Sequence, residues 1–223
     1  MPLLRSRLEQ FALFPRPILR TRPILQRIAA TQATPASYLT IDAMADSAKR
    51  IAVLGSTGSI GVSALDVIAS SEGRLEAIAL SAHSNHRLLV RQAQRHRPRW
   101  VVASDRQAAG KLDCSALPPE CRLLVGPDAL VEVAQQEEVD VVLAAIVGSA
   151  GLPSTWAALE AKKTVALANK ETLVMAGELV AGLAREAGGL LIPVDSEHSA
   201  LFQALKSGQT SEVERLVLTA SGG

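Results

Sequence analysis

Arg50-Ile51-Ala52-Val53-Leu54-Gly55-Ser56-Thr57-Gly58-Ser59-Ile60-Gly61 is the stretch that decides the fold. Four apolar residues, Ile51 to Leu54, run into a turn with three glycines, and Val62 to Ile68 then recur at helical spacing. That order reads as a buried strand, a tight loop and a helix. The glycines sit three apart, in place of the commoner G-x-G-x-x-G of dinucleotide sites, yet the physical roles carry over. Gly55 permits a sharp exit from the strand, Gly58 leaves room for a pyrophosphate to approach the backbone, and Gly61 lets the helix pack close to the sheet. Thr57, Ser59 and Ile60 then line the loop at the positive end of the helix dipole. A glycine-rich turn that binds nothing would look the same in isolation; the strand before it and the helix after it favour a nucleotide.

Outward from this stretch, strand-like and helix-like segments alternate, the signature of a parallel sheet covered on both faces. The apolar runs predict strands over 76–81, 100–103, 123–125, 139–146, 164–168 and 190–192. Between them, helices are predicted over 59–69, 86–95, 128–136, 152–161 and 171–187, with a short one after Asp105 as N-cap. The fold expected is therefore α/β, a doubly wound parallel sheet of Rossmann type spanning 44–192. A further strand is expected over Val213 to Thr219, within a segment 193–223 that begins a second domain. Residues 1–43 differ: Arg5, Arg7, Arg16, Arg20, Arg22 and Arg27 face only Glu9 and Asp42, and Pro15, Pro17, Pro23 and Pro35 interrupt any helix. This stretch is expected to be a disordered extension. It reads either as an organellar transit peptide or as the product of an upstream start codon, with Met44 the natural beginning.

Composition sets bounds on partners. The 223 residues carry a net charge of +1, so nothing in the bulk charge points to nucleic acid or an anionic membrane, and an aromatic content of 3% argues against base-stacking surfaces. No apolar run is long enough to cross a bilayer. Cys114 and Cys121 lie in a Pro-containing stretch without metal-knuckle or disulfide spacing and read as plain thiols in a reducing compartment.

Chemistry-bearing residues gather where predicted strands end. After the second strand come Ala82-His83-Ser84-Asn85-His86-Arg87. A NAD-preferring site usually places a carboxylate about 20 residues past the glycines to bind the ribose 2′-hydroxyl. None is present, and Ser84, Asn85 and Arg87 suit a 2′-phosphate, so NADP is inferred over NAD. Ala144 to Gly151 offers small residues that would admit a nicotinamide ring, or simply a tight turn. Asn169 reads as a helix N-cap, and Lys170 beside it is placed to meet a substrate oxygen or phosphate. In Pro193-Val194-Asp195-Ser196-Glu197-His198, an extended chain would point both carboxylates to one side, as a hard cation such as Mg²⁺ or Mn²⁺ requires. A helix beginning there, capped by Asp195 or Ser196 with Glu197 in its first turn, is the competing reading, and His198 is then a first-turn residue rather than a ligand. Ser221 with Gly222 and Gly223 offers a hydroxyl and amides to an anion.

Taken in order, the stretches 55–61, Ala168-Asn169-Lys170-Glu171, Pro193 to His198 and Leu218-Thr219-Ala220-Ser221-Gly222-Gly223 resemble the 1-deoxy-D-xylulose 5-phosphate reductoisomerase family. The likeness runs from about Arg50 to the last residue. It implies NADPH- and divalent-metal-dependent rearrangement and reduction of that sugar phosphate to 2-C-methyl-D-erythritol 4-phosphate, in non-mevalonate isoprenoid synthesis. By the same resemblance, Thr57, Gly58, Ser59, Ile60, Asn85, Asn169 and Glu171 bind NADPH; His83 and Ser84 stand where many members have Gly and Lys or Arg, and Ser84 remains a cofactor candidate by its own place in the loop. Lys170, Ser196, Glu197 and Ser221 contact substrate, and Asp195 and Glu197 hold Mg²⁺ or Mn²⁺; Lys170, Asp195 and Glu197 are the catalytic candidates. A homodimer at full length is implied, in a bacterial cytoplasm, or in a plastid if 1–43 is a transit peptide.

Family members continue past the Ser-Gly-Gly turn into a lid, a third carboxylate ligand and a helical domain. This chain is accordingly expected to be a truncated portion, with the start of an α+β catalytic domain and negligible turnover alone. Another NADP-linked Rossmann dehydrogenase, or a non-catalytic NADP-binding domain, are the alternatives. The carboxylate pair speaks against the first, and metal-dependent binding of a substrate analogue would speak against the second.

Overall fold

The apolar run that opens the motif becomes the middle of the molecule. In the computed structural model, which describes residues 47–218, β1 (Lys49–Leu54) lies at the centre of a seven-stranded sheet with Ala52, Val53 and Leu54 wholly buried. The extension 1–43 and Ser221 with its glycines lie outside the described residues. After β1 the chain runs through α1 (Ser59–Ala69), β2 (Leu75–Ala82), α2 (His86–His96), β3 (Trp100–Ala103), a short α3 (Arg106–Ala109) and β4 (Arg122–Val125). It returns through α4 (Asp128–Ala134) to β5 (Val141–Ala144), and continues with α5 (Leu152–Glu160), β6 (Thr164–Leu167), α6 (Lys170–Ala187), β7 (Leu190–Pro193) and α7 (Ser196–Leu205).

Strand order is β4-β3-β2-β1-β5-β6-β7, and every neighbouring pair is parallel. The first half of the chain therefore builds the sheet outward from β1 in one direction, and β5 starts again on its other side. This is a doubly wound α/β sheet, as the alternation of segments predicts. Such a sheet has its ligand crevice beyond the carboxyl ends of the two strands where the winding reverses, here β1 and β5.

Helix ends follow from local chemistry. Asn85 caps α2 by accepting a hydrogen bond from the Leu88 amide, and Asp105 caps α3 by accepting from Gln107 and Ala108. Arg97, in the left-handed region at φ 47°, ends α2 just before Pro98. Inside α6, Ala176 leaves helical geometry at φ −143°, so two helical pieces meet at a kink beside Gly177. The core is apolar: Val53, Leu65, Leu80, Leu89, Val101 and Leu143 belong to one buried cluster. On the α1 side of the sheet, Ile51, Ile60, Val67, Leu143, Ala166 and Val194 line an open apolar groove.

Two strand expectations are corrected. The run 139–146 pairs as a strand only over Val141–Ala144, because Asp140 turns to bind Arg50 and the Ile146 carbonyl is taken by Asn169. Val213 to Leu218 forms no strand; no strand among the described residues offers them a ladder, and Val217 is 68% exposed.

Candidate cofactor and metal site

The glycine-rich turn sits at the reversal point and is shaped by close backbone contacts. Gly55 has φ +89°, and a Cβ there would lie 2.6 Å from the Ala145 carbonyl oxygen in the loop after β5. A Cβ on Gly61 would run into the Gly55 carbonyl and the Ser56 backbone. Only glycine fits at either place. Gly58 takes ordinary backbone angles; its amide donates to the Gly55 carbonyl at 3.1 Å, which closes the turn.

The rest of the turn faces outward. The amides of Thr57, Ser59 and Ile60 have no partner among the described residues, and no side chain caps the N-terminus of α1. Three free N–H groups at the positive end of an eleven-residue helix form a cradle for a phosphate-like anion. The residues present thus fit a dinucleotide pyrophosphate.

At the end of β2, His83, Ser84, Asn85 and Arg87 are all exposed. Arg87 makes no ion pair among the described residues, which leaves its guanidinium available to a phosphate. One feature here is invisible in the linear sequence. Asp105, at the end of the adjacent β3, comes within 3.9 Å of His83 Nε2, while His83 Nδ1 lies 3.3 Å from Ser104 Oγ. A carboxylate is therefore nearby after all. Hydrogen bonds from the Ala108 and Gln107 amides outweigh slight desolvation and hold Asp105 below the usual carboxylate range, and its charge is shared with the α3 cap and His83.

Asn169 joins the loops after β5 and β6. It is 3% exposed; its Oδ1 accepts from the amide and the hydroxyl of Thr172, both at 2.7 Å. Its Nδ2 donates to the carbonyls of Ile146 and, at 2.9 Å, Gly148. All the side chain's hydrogen-bonding capacity is used within the chain. Asn169 thus shapes the edge where a nicotinamide would lie and has no donor left over for a ligand. Next to it, Lys170 is exposed at the first position of α6 and unpaired among the described residues, and Glu171 follows in the same turn.

At the end of β7 the extended reading of the carboxylates is corrected. Asp195 (φ −52°, ψ 136°) is the N-cap, Ser196 opens α7, and the Ser199 amide donates to the Asp195 carbonyl at 2.8 Å, so the chain is helical from Ser196 on. The two carboxyls still act on each other, Asp195 from the N-cap and Glu197 from the first turn of α7. Partial burial pushes the Asp195 carboxyl up, but hydrogen bonding from His198 Nδ1 at 3.0 Å and with Glu197 outweighs it and leaves the group below the usual range. Ser196 Oγ donates to Glu197 Oε2 at 2.7 Å. Two carboxyls at one helix start are oxygen donors of the kind a hard cation accepts, with other ligands from substrate or water. Among the described residues no group of three or more His, Cys, Asp or Glu is placed to hold a metal.

Every sequence-predicted site residue among the described ones lies at the carboxyl edge of the sheet, after β1, β2, β6 or β7. The cysteines do not: Cys114 is exposed, and Cys121, a free thiol, donates to the Pro98 carbonyl, its pKa pushed up by burial. Sequence reading missed Ser81 and Gln92, which brace the glycine-rich turn from behind. The available signal was a glutamine on the apolar face of α2, among His86, Leu89 and Ala93. No helix among the described residues is long and apolar enough to cross a membrane.

Comparison with known proteins gives the same answer over two stretches of the chain, one in the sheet domain and one at its end. The family model described as 1-deoxy-D-xylulose 5-phosphate reductoisomerase matches residues 51–177, and the model of that enzyme's C-terminal domain matches residues 191–223. A 1-deoxy-D-xylulose 5-phosphate reductoisomerase of Geobacter metallireducens is 49% identical over 175 residues, 78% of this chain and 46% of the relative. The reductoisomerase of Zymomonas mobilis solved with NADPH superposes with a TM-score of 0.66 at 45% identity, over 70% of this chain and 41% of that one. A DOX-P reductoisomerase solved with NADPH, fosmidomycin and magnesium gives 0.65 at 42% identity, over 70% and 39%. The chain thus spans about half the length of the curated relatives it matches. On this evidence the chain belongs to the 1-deoxy-D-xylulose 5-phosphate reductoisomerase family.

Proposed function

We propose that this chain provides the NADPH site, and one side of the metal and substrate site, for conversion of 1-deoxy-D-xylulose 5-phosphate to 2-C-methyl-D-erythritol 4-phosphate. The observation that carries the reading is the cradle of unpartnered Thr57, Ser59 and Ile60 amides at the reversal point of the sheet. The relatives solved with NADPH and magnesium support it. Bound NADPH supplies the hydride, and the divalent cation supplies Lewis acidity to the substrate's ketone and neighbouring hydroxyl. The protein's part is to bind and orient. The loop amides hold the pyrophosphate, Ser84, Asn85 and Arg87 face the 2′-phosphate, and the loops tied by Asn169 set the nicotinamide against the sugar. Asp195 and Glu197 hold the cation, Ser196 and Ser221 contact the sugar phosphate, and the Lys170 ammonium steadies negative charge on the rearranging oxygens. Residues 44–192 form the cofactor domain in this reading and 193–223 open the catalytic one.

Fluorescence titration of the 223-residue chain tests the cofactor assignment. NADPH is expected to bind at least about tenfold more tightly than NADH, since a charge-assisted phosphate contact is worth on the order of 1.5 kcal/mol or more. Equal affinity for both cofactors would remove the 2′-phosphate assignment, and no binding of either would remove the whole reading. For the metal, Mn²⁺ titration followed by electron paramagnetic resonance should show Asp195→Asn binding the ion about tenfold more weakly or worse than wild type.

A further inference from the structure

The cofactor loop is braced from inside by a buried polar clamp. Ser56 is completely buried; its amide donates to the Ser81 carbonyl at 2.8 Å, and its hydroxyl donates to Gln92 Oε1 at 2.8 Å, with the Ser81 carbonyl 3.1 Å away. Gln92 Nε2 returns a hydrogen bond to the Ser56 carbonyl at 2.8 Å, and the Gly55 amide donates to Ser81 Oγ at 2.8 Å. Ser81 is 1% and Gln92 8% exposed. A buried amide side chain is costly unless both of its ends are satisfied, and here one residue, Ser56, satisfies both.

The consequence lies in the directions of the peptide groups. With the amides of Gly55 and Ser56 both tied to the end of β2, and the Ser56 carbonyl tied to α2, the peptide planes on either side of Ser56 are fixed. The following N–H groups, those of Thr57, Ser59 and Ile60, then face away from the protein. Without Gln92, the Ser56 carbonyl and hydroxyl would be left buried and short of partners. The loop could recover them only by turning toward the interior, which takes the free amides out of the cradle.

We propose that Gln92 is a positioning residue for pyrophosphate binding. It acts through Ser56, by holding the loop in the one conformation that presents the three amides to an anion. The proposal rests on the reading of this loop as the NADPH pyrophosphate site. The same helix carries Asn85 and Arg87 at its start, so α2 serves both ends of the adenosine diphosphate portion: by direct contact at the 2′-phosphate, and indirectly at the pyrophosphate.

The test uses the 223-residue chain as wild type, Gln92→Met and Ser56→Ala, with two probes. NADPH carries the pyrophosphate; adenosine 2′-monophosphate keeps the 2′-phosphate and lacks it. The NADPH Kd is expected to rise about tenfold in Gln92→Met, equivalent to ~1.4 kcal/mol, and less in Ser56→Ala, which keeps the bond from Gln92 Nε2 to the carbonyl. Affinity for adenosine 2′-monophosphate should stay within about twofold of wild type. A general loosening of the fold would weaken both probes together, and that parallel loss overturns the proposal. So does an unchanged NADPH Kd in the two variants. Should Gln92→Met not fold, Ser56→Ala decides by the same criteria. Failure of wild type to bind NADPH would remove the cofactor reading itself and the proposal with it.

Discussion

Replacing Gly55 with alanine would put a methyl group 2.6 Å from the Ala145 carbonyl oxygen on a backbone held at φ +89°. The backbone conformation alone costs about 1–3 kcal/mol for a residue with a Cβ, and the clash adds to that. Urea unfolding of Gly55→Ala should therefore show a loss of at least about 2 kcal/mol; an unchanged midpoint would mean that the turn relaxes freely. At this scale the sequence was informative wherever a residue acts on its immediate neighbours. The roles of Gly55 and Gly61 follow from a strand that must turn at once into a helix, and the Asp105 cap from a side chain that reaches two or three residues ahead, whereas the Asn85 cap was seen only in the structure. Gln92 and Ser81 stayed hidden because their partners lie 36 and 26 positions away, and only the sheet order brings them together. The closeness of Asp105 to His83 escaped notice for the same reason, although its role as a cap did not: a neighbour on the next strand cannot be seen by counting forward from the glycines. The Asn169 amide shows another limit, since its role as a cap was readable while its two bonds to the loop after β5 were not.

Elements were legible where burial imposes a pattern. Strands covered on both faces must be apolar throughout, so β1 and β3 stand out as runs, and the apolar face of α2 repeats at helical spacing. Two apolar runs misled, since hydrophobicity tells neither where the partners of a strand stop, as at the ends of 139–146, nor whether it has one, as over Val213 to Leu218. Asp140 ends such a run and joins β5 to β1. It accepts from the Arg50 amide at 2.8 Å and from the guanidinium at 3.1 and 3.2 Å, and its own amide donates to the Arg50 carbonyl. Burial pushes this carboxyl up, but the hydrogen bonds from Arg50 prevail and hold it below its ordinary value. A carboxyl depressed in the folded state stabilises fully above its unfolded pKa, about 4, and loses that contribution as the pH falls through the folded value. Asp140→Asn should accordingly be less stable than wild type at neutral pH, and the difference should shrink steadily below about pH 4. A gap independent of pH in denaturation curves would show that the ionised pair contributes nothing.

For the molecule as a whole, the doubly wound sheet was predictable because alternating segments with short connections allow few other topologies. The position of the crevice then followed from the winding. The groove beside α1 was not predictable, since whether an apolar sheet face is covered depends on what packs there, and the same residues read as core either way. The winding has one more result. The strands before α4, β1 to β4, build one side of the sheet and those after it, β5 to β7, build the other, joined at the β1–β5 ladder, the Arg50–Asp140 pair and the packing of α4 against α5. A break in the backbone between Gln135 and Glu138 would thus cut the molecule along its own seam, leaving each half with contiguous strands and one raw edge. Co-expressed as separate polypeptides, 1–136 and 137–223 should find each other and restore NADPH binding, while pieces divided between β2 and β3 should not. The cofactor loop and the partner it leans on at Ala145 belong to different halves, so the nucleotide itself would act as the report that the two had been reunited.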